Sequence, residues 1–252
     1  MSSAILNYLQ SYNALSIEAK KIIFPSPIED NTYSLLVIPD DNIEEIIEDT
    51  LDDYEGLTDY IDQQLEQMEQ MNIPDIFRTL VSHQLLDTDL AEQSAHVNHM
   101  DWALLYRTYS NLWEGEPLLD EQLIPSQVHS LLPDLQALRE QQEQWIQLPL
   151  PAGKEYTAPL MIPMGGFNEC PAPMLQASLF QHWQHTYTAI PVMVDESMWI
   201  LQAYNKPQTD QDALQLAQEH FIFCPYVLES FQSIGEYASY LQEQEYWYFW
   251  WD

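Results

Sequence analysis

The chain closes on six consecutive aromatic residues, Tyr246-Trp247-Tyr248-Phe249-Trp250-Trp251, followed by Asp252. Water does not accommodate such a run in a loop. These side chains favour strands, and at about 3.3 Å per residue the segment spans about 20 Å. Alternation sends Tyr246, Tyr248 and Trp250 to one face and Trp247, Phe249 and Trp251 to the other. Both faces are therefore apolar, which predicts a central strand covered on both sides. Each ring carries about 150–250 Å² of surface, so removing the run is expected to unfold at least the C-terminal half. A membrane-interface anchor would carry flanking Lys or Arg, and none is present.

At 252 residues the chain holds one large domain or two small ones. A hydrophobic content of 46% separates it from disordered acidic chains. Its charge is unusual at −33, and unevenly spread: residues 1–150 carry 28 acids against 5 Lys and Arg, residues 151–252 carry 12 against 2. Such a field repels nucleic-acid phosphates and anionic lipid and attracts basic proteins. The expected partner is therefore a basic protein, with no nucleic acid and no membrane. Met1 to Leu15 lacks a basic leader and a cleavage site, and no apolar run approaches 18 residues. Cys170 and Cys224 then read as reduced thiols of a cytoplasmic protein.

The first half reads as mostly helical. Residues 2–15 carry a loose stripe of Ile5, Leu6, Tyr8, Leu9 and Tyr12, and Thr32 to Pro39 reads as a short strand. Asp41 with Glu44 resembles a capping box. Ile43, Ile46, Ile47, Leu51 and Tyr54 follow at helical spacing, with Gly56 as a stop. Further helices are predicted at Leu57 to Met68, around Pro74, at Trp102 to Trp113 and at Pro125 to Trp145. With the isoleucines inward, Glu44, Glu45, Glu48, Asp49, Asp52 and Asp53 crowd the outward face. Like charges at this spacing cost about 0.2–0.5 kcal/mol per pair in an isolated helix. The face is a solvated surface, a surface for a basic partner, or a cation site, though nothing matches an EF-hand loop.

From about Leu148 charges thin out and prolines and aromatics increase. Ala158 to Met164 reads as a strand running into GGFNECP, Gly165 to Pro171. A helix follows, then a hairpin of Ile190 to Val194 and Met198 to Tyr204. Thr209 caps another helix that leads to Cys224-Pro225, and a short helix near Ile234 to Leu241 precedes the aromatic strand. Helices packed on a mostly antiparallel sheet define an α+β arrangement.

Four ordered motifs, GGFNECP (Gly165–Pro171), HWQHTYTAIPV (His182–Val192), AQEHFIFCP (Ala217–Pro225) and the terminal YWYFWWD, make the last hundred residues resemble the domain of unknown function family 4253. The resemblance implies a bacterial-type cytosolic domain and carries no established activity. Where the family pattern has Asp after the second Cys-Pro, this chain has Tyr226. The first half carries no such resemblance.

Candidate chemistry is sparse. Cys224 lies four residues after His220, the spacing of a thiol and a base on one helix face. Cysteines among apolar residues more often act as small hydrophobes. His96 with His99, and His182 with His185, are spaced for a shared helix face, yet no third ligand completes either pair. Gly165-Gly166 reads as a tight turn, because the phosphate-loop signatures are missing.

The expected fold is thus α+β: an acidic, mostly helical region over residues 1–147, then an α+β domain over residues 148–252. In the latter a mixed, mostly antiparallel sheet with packed helices ends in the aromatic strand. The expected function is an acidic binding protein that neutralises a basic partner, such as an immunity protein blocking a cognate interbacterial toxin. Glu44, Glu45, Glu48, Asp49, Asp52 and Asp53 would form the contact surface, with no catalytic residue, metal or cofactor. The alternatives are an enzyme built on Asn168, Glu169, Cys170, His220 and Cys224, and a non-catalytic adaptor or scaffold. Oligomeric state is not legible.

Overall fold

A computed structural model describes residues 4–26, 32–86, 88, 91–113, 119–166 and 168–251. Ser2 and Ser3 of the first expected helix, Phe167 of GGFNECP and Asp252 lie outside them. The strands are β1 (Leu15–Glu18), β2 (Ser34–Val37), β3 (Gln144–Pro149), β4 (Ala189–Val194), β5 (Met198–Ala203) and β6 (Tyr246–Trp250). They form one sheet in the order β1-β3-β2-β4-β5-β6. The β2–β4 pairing, Leu36 to Met193 and Val37 to Val194, is parallel, and the other pairings are antiparallel. The α+β class and the mixed, mostly antiparallel sheet ending in an aromatic strand are those expected. In addition the sheet takes β1 and β2 from the first half, and the line between residues 147 and 148 falls inside β3.

The helices are α1 (Ala4–Tyr8), α2 (Asp41–Leu51), α3 (Leu57–Glu69), α4 (Ile73–Leu86), α5 (Ala91–Ser94), α6 (Trp102–Ser110), α7 (Leu135–Gln141), α8 (Ala158–Met161), α9 (Pro173–Tyr187), α10 (Asp210–Phe223) and α11 (Ile234–Glu243). Most pack over one sheet face, where Val37, Ile146, Leu148, Trp199, Leu201, Trp247 and Phe249 join the apolar sides of α4, α9, α10 and α11 in the main core. The opposite face carries Leu36, Trp145, Val192, Met193, Met198 and Ile200. Ala19, Ile22 and Phe24 cover it together with Leu132, Leu135 and Leu138.

Several expectations need correction. The aromatic strand is not central: β6 pairs with β5 alone and forms one edge of the sheet. Trp247, Phe249 and Trp251 are fully buried, whereas Tyr246, Tyr248 and Trp250 are half-buried on the thinly covered face. The strands buried on both faces are β4 and β5. The helix expected over Pro125 to Trp145 is instead an irregular strap, the short α7, and β3. Pro133 lacks the N–H a helix interior needs. Asp134 starts α7 by accepting from Gln136 N and Ala137 N at 2.9 and 3.2 Å. The strap lies against α11, where Gln127 N donates to Glu236 Oε1 at 2.8 Å.

Ala158 to Met164 is not a strand but a helical turn, α8, with every residue buried. A short, wholly apolar run does not distinguish the two by periodicity. Finally, α2 is capped by Asp40 rather than Asp41. Asp40 is in extended conformation and accepts from Asn42 N at 2.8 Å. Glu44 does not complete a capping box; it accepts from Ala4 N at 2.9 Å. The first helix also ends early: α1 stops at Tyr8, Asn13 turns left-handed at φ 58°, and Leu15 opens β1. Gly56, at φ 145°, precedes α3 rather than ending α2.

Candidate functional site

Two surfaces and one sealed cluster hold the chemistry-bearing residues. On α2, Ile43 and Ile47 are buried, which turns Glu45, Glu48 and Asp49 outward, and Asp52 and Asp53 are exposed just beyond its end. Glu44 is half-buried against the start of α1. Glu44, Glu48 and Asp52, one turn apart, line a groove of about 410 Å³ floored by Ile5, Tyr8, Ile47 and Leu51. Among the described residues, the carboxylates paired with Lys or Arg are Glu18, with Lys20 and Lys21, and Asp75, with Arg78. The α2 carboxylates have no such partner.

The cysteine and histidine residues do not form a reactive pair. Cys224 is fully buried, its Sγ donates to Trp250 O at 3.1 Å, and burial pushes its thiol up to about 12. Burial likewise holds the Cys170 thiol well above its usual value. His220 Nδ1 lies 2.7 Å from the Tyr237 hydroxyl, and Nε2 has no hydrogen-bond partner. Neither ring nitrogen is turned to a thiol. Asn168 is exposed, and Glu169 accepts from the Tyr226 hydroxyl at 3.2 Å. Tyr226 thus ties the second Cys-Pro segment to the first. His96, His99 and His185 are exposed, and among the described residues no group of three His, Cys, Asp or Glu is arranged to hold a metal ion. Gly165-Gly166 turns around the side chain of Gln176, whose Nε2 donates to Met164 O and Pro171 O.

The second surface is a pocket of about 360 Å³ where α4 and α6 meet α9 and α10. Ile73, Pro74, Phe77, Met100, Trp102 and Leu105 give it an apolar wall, and Arg78, His182, Gln215 and Glu219 supply polar groups. The rings of Phe77 and Trp102 meet edge to face, with centroids 5.1 Å apart. Glu219 is nearly buried. Its Oε2 accepts from Trp183 Nε1 at 3.0 Å and lies 3.5 Å from His182 Nε2, and its Oε1 accepts from Gln215 Nε2 at 3.1 Å.

A mixed sheet with a thick helical layer on one face and a thin cover on the other defines an α+β protein. Residues 148–252, from the end of β3 to the aromatic terminus, are similar to the family described as Domain of unknown function (DUF4253). No curated protein and no solved structure matches the chain. Among the described residues no helix is long and apolar enough to cross a membrane.

Sequence reasoning reached the α2 carboxylates through amphipathic spacing. It missed the pocket. The visible signal was Glu219 itself, an acid two residues before the apolar run Phe221-Ile222-Phe223-Cys224.

Proposed function

We propose that this is an acidic cytoplasmic binding protein that neutralises a basic protein partner, as an immunity protein blocks a cognate interbacterial toxin. The observation that supports this reading is the α2 face: Glu45, Glu48, Asp49, Asp52 and Asp53 are exposed on one side, and among the described residues no Lys or Arg pairs with them. With 40 acids against 7 Lys and Arg, the chain has few cations of its own to set against such a face. Helix formation gains nothing from crowding like charges, which repel at this spacing. A cationic partner converts that repulsion into attraction, steers encounter, and selects against acidic competitors. The groove floored by Ile5 and Ile47 offers an apolar anchor point along the same carboxylates. A nuclease-like toxin, basic around its active site, is the class of partner this geometry suits.

The test uses the full chain and any basic protein that copurifies with it from native cells at low ionic strength. Association followed by stopped flow is expected to slow steeply with salt. It is also expected to slow about tenfold or more in the fourfold variant Glu45→Lys, Glu48→Lys, Asp49→Lys, Asp52→Lys. Growth protection should fall with it. Absence of a complex, or association indifferent to both salt and the four changes, ends this reading.

A further inference from the structure

The pocket between α4, α6, α9 and α10 lies outside the docking surface just proposed, and its charges do not balance. Glu219 is 8% exposed and lines the pocket. Two of its three neighbours, Trp183 Nε1 and Gln215 Nε2, are neutral donors, and His182, at 3.5 Å, contributes positive charge only when protonated. A carboxylate offers about four acceptor positions, so room remains for another donor. Arg78, the other charged group of the wall, is committed elsewhere. Its Nη1 donates to Asp75 Oδ1 at 2.8 Å, and Nε and Nη2 both reach Met100 O.

The wall therefore presents one negative charge lacking a full cationic partner, beside the rings of Phe77 and Trp102. A nearly buried carboxylate without such a partner is costly, and a ligand cation would supply it. Aromatic faces attract the same kind of ligand. The volume, about 360 Å³, falls within the range of about 300–1,000 Å³ in which small molecules are held. We propose that this pocket binds a small organic cation, a protonated primary amine on an apolar or aromatic body. The ammonium sits at Glu219 and the body against Phe77 and Trp102. An organic acid of the same shape would set its carboxylate against Glu219, and a neutral analogue would forgo the charge pairing.

The experiment is isothermal titration calorimetry of the full chain at about pH 8, with phenethylammonium, 2-phenylethanol and 3-phenylpropionate as probes. Phenethylammonium is expected to saturate one site, with at least about tenfold higher affinity than the alcohol, as one charge-assisted hydrogen bond provides. The acid is expected not to bind. Glu219→Gln keeps the shape and an acceptor for Trp183, and should erase the preference for amine over alcohol. Ile73→Trp, at the half-buried rim and away from the carboxylate, should block amine and alcohol alike. The fourfold α2 variant should leave amine affinity unchanged, which separates the pocket from the general acidic field. The proposal is overturned if amine and alcohol bind equally, if the amine does not saturate, or if binding survives Glu219→Gln but drops in the α2 variant. Should Glu219→Gln not fold, the three probes on the unaltered protein and the Ile73→Trp variant still decide the matter.

Discussion

His220 Nδ1 lies 2.7 Å from the Tyr237 hydroxyl, joining α10 to α11 inside a chamber walled by Trp183, Trp247 and Phe249. Burial holds this imidazole well below its usual value, so the folded protein keeps it neutral. As pH falls below about 6.5, the unfolded chain takes up a proton that the folded one refuses, and stability drops. The loss approaches about 1.4 kcal/mol per pH unit until the depressed folded value is reached. Asp195 acts in the opposite sense. Burial raises its carboxyl, so its contribution is complete at low pH and fades as pH rises through its folded value. The comparison must therefore be with His220→Phe. Denaturant melts between about pH 7.5 and 4.5 should show that variant losing less stability on acidification than the parent. At neutral pH it carries a fixed cost of about 1–3 kcal/mol from the stranded Tyr237 hydroxyl, which adding Tyr237→Phe should largely recover. Parallel pH profiles in parent and variant would contradict this.

The two faces of β6 should differ in energetic weight. Phe249 stacks on Trp183, with centroids 5.5 Å apart and planes 12° apart, and meets Phe223 edge to face. Phe249→Ala is expected to cost about 3–5 kcal/mol by emptying a closed site. Tyr248→Ala, from a half-buried position on the thin face, should cost clearly less. A chain ending at Glu245 loses the ladder to β5 together with Trp247, Phe249 and Trp251. It should show no cooperative melt by calorimetry or circular dichroism. A sharp transition in that truncation would mean the edge strand is dispensable.

Where local chemistry decides an element, the sequence shows it. The helices α2 and α3 follow from apolar spacing, and Thr209 caps α10 as expected by accepting from Asp212 N at 3.1 Å. Where a distant neighbour decides, the sequence is silent. Alternation in YWYFWW tells which rings share a face but not how many strands flank them, so an edge strand reads as a central one. Trp145 looks helical in its own window, yet it pairs with Ile17 more than a hundred residues earlier. The same limit hid the pocket. Phe77, Trp102, His182 and Glu219 belong to four different helices and meet only once those helices pack. The α2 carboxylates needed no such assembly.

The thiols should be inert in the folded protein. Cys224 is sealed and its pKa pushed up to about 12, and Cys170 is buried behind the Gly165-Gly166 turn with its pKa raised in the same direction. Since the thiolate is the reactive form, both burial and protonation protect them. Iodoacetamide at about pH 8 should label neither site without denaturant and both in its presence, as read by intact-mass spectrometry. Stoichiometric native labelling at either position would revive the thiol-based enzyme.

Gly165 and Gly166 separate backbone strain from steric exclusion. Both have positive φ, 140° and 79°. At Gly166 an added Cβ meets nothing within 4 Å, so Gly166→Ala bears only the conformational cost, about 1 kcal/mol. At Gly165 the same Cβ would lie 2.3 Å from both Pro171 O and Gln176 Nε2. Neither atom is free to yield. Gln176 is fully buried, and its Nε2 already donates to Met164 O at 2.6 Å and Pro171 O at 2.7 Å. Relief therefore requires breaking the bonds that hold the loop to α9. Backbone strain and overpacking, about 1–3 kcal/mol each, then add, placing Gly165→Ala at least about 2 kcal/mol below the parent. Equilibrium denaturation of both variants checks the order. Equal losses would show that the loop is not clamped on Gln176, and that GGFNECP is kept in shape by something other than this amide.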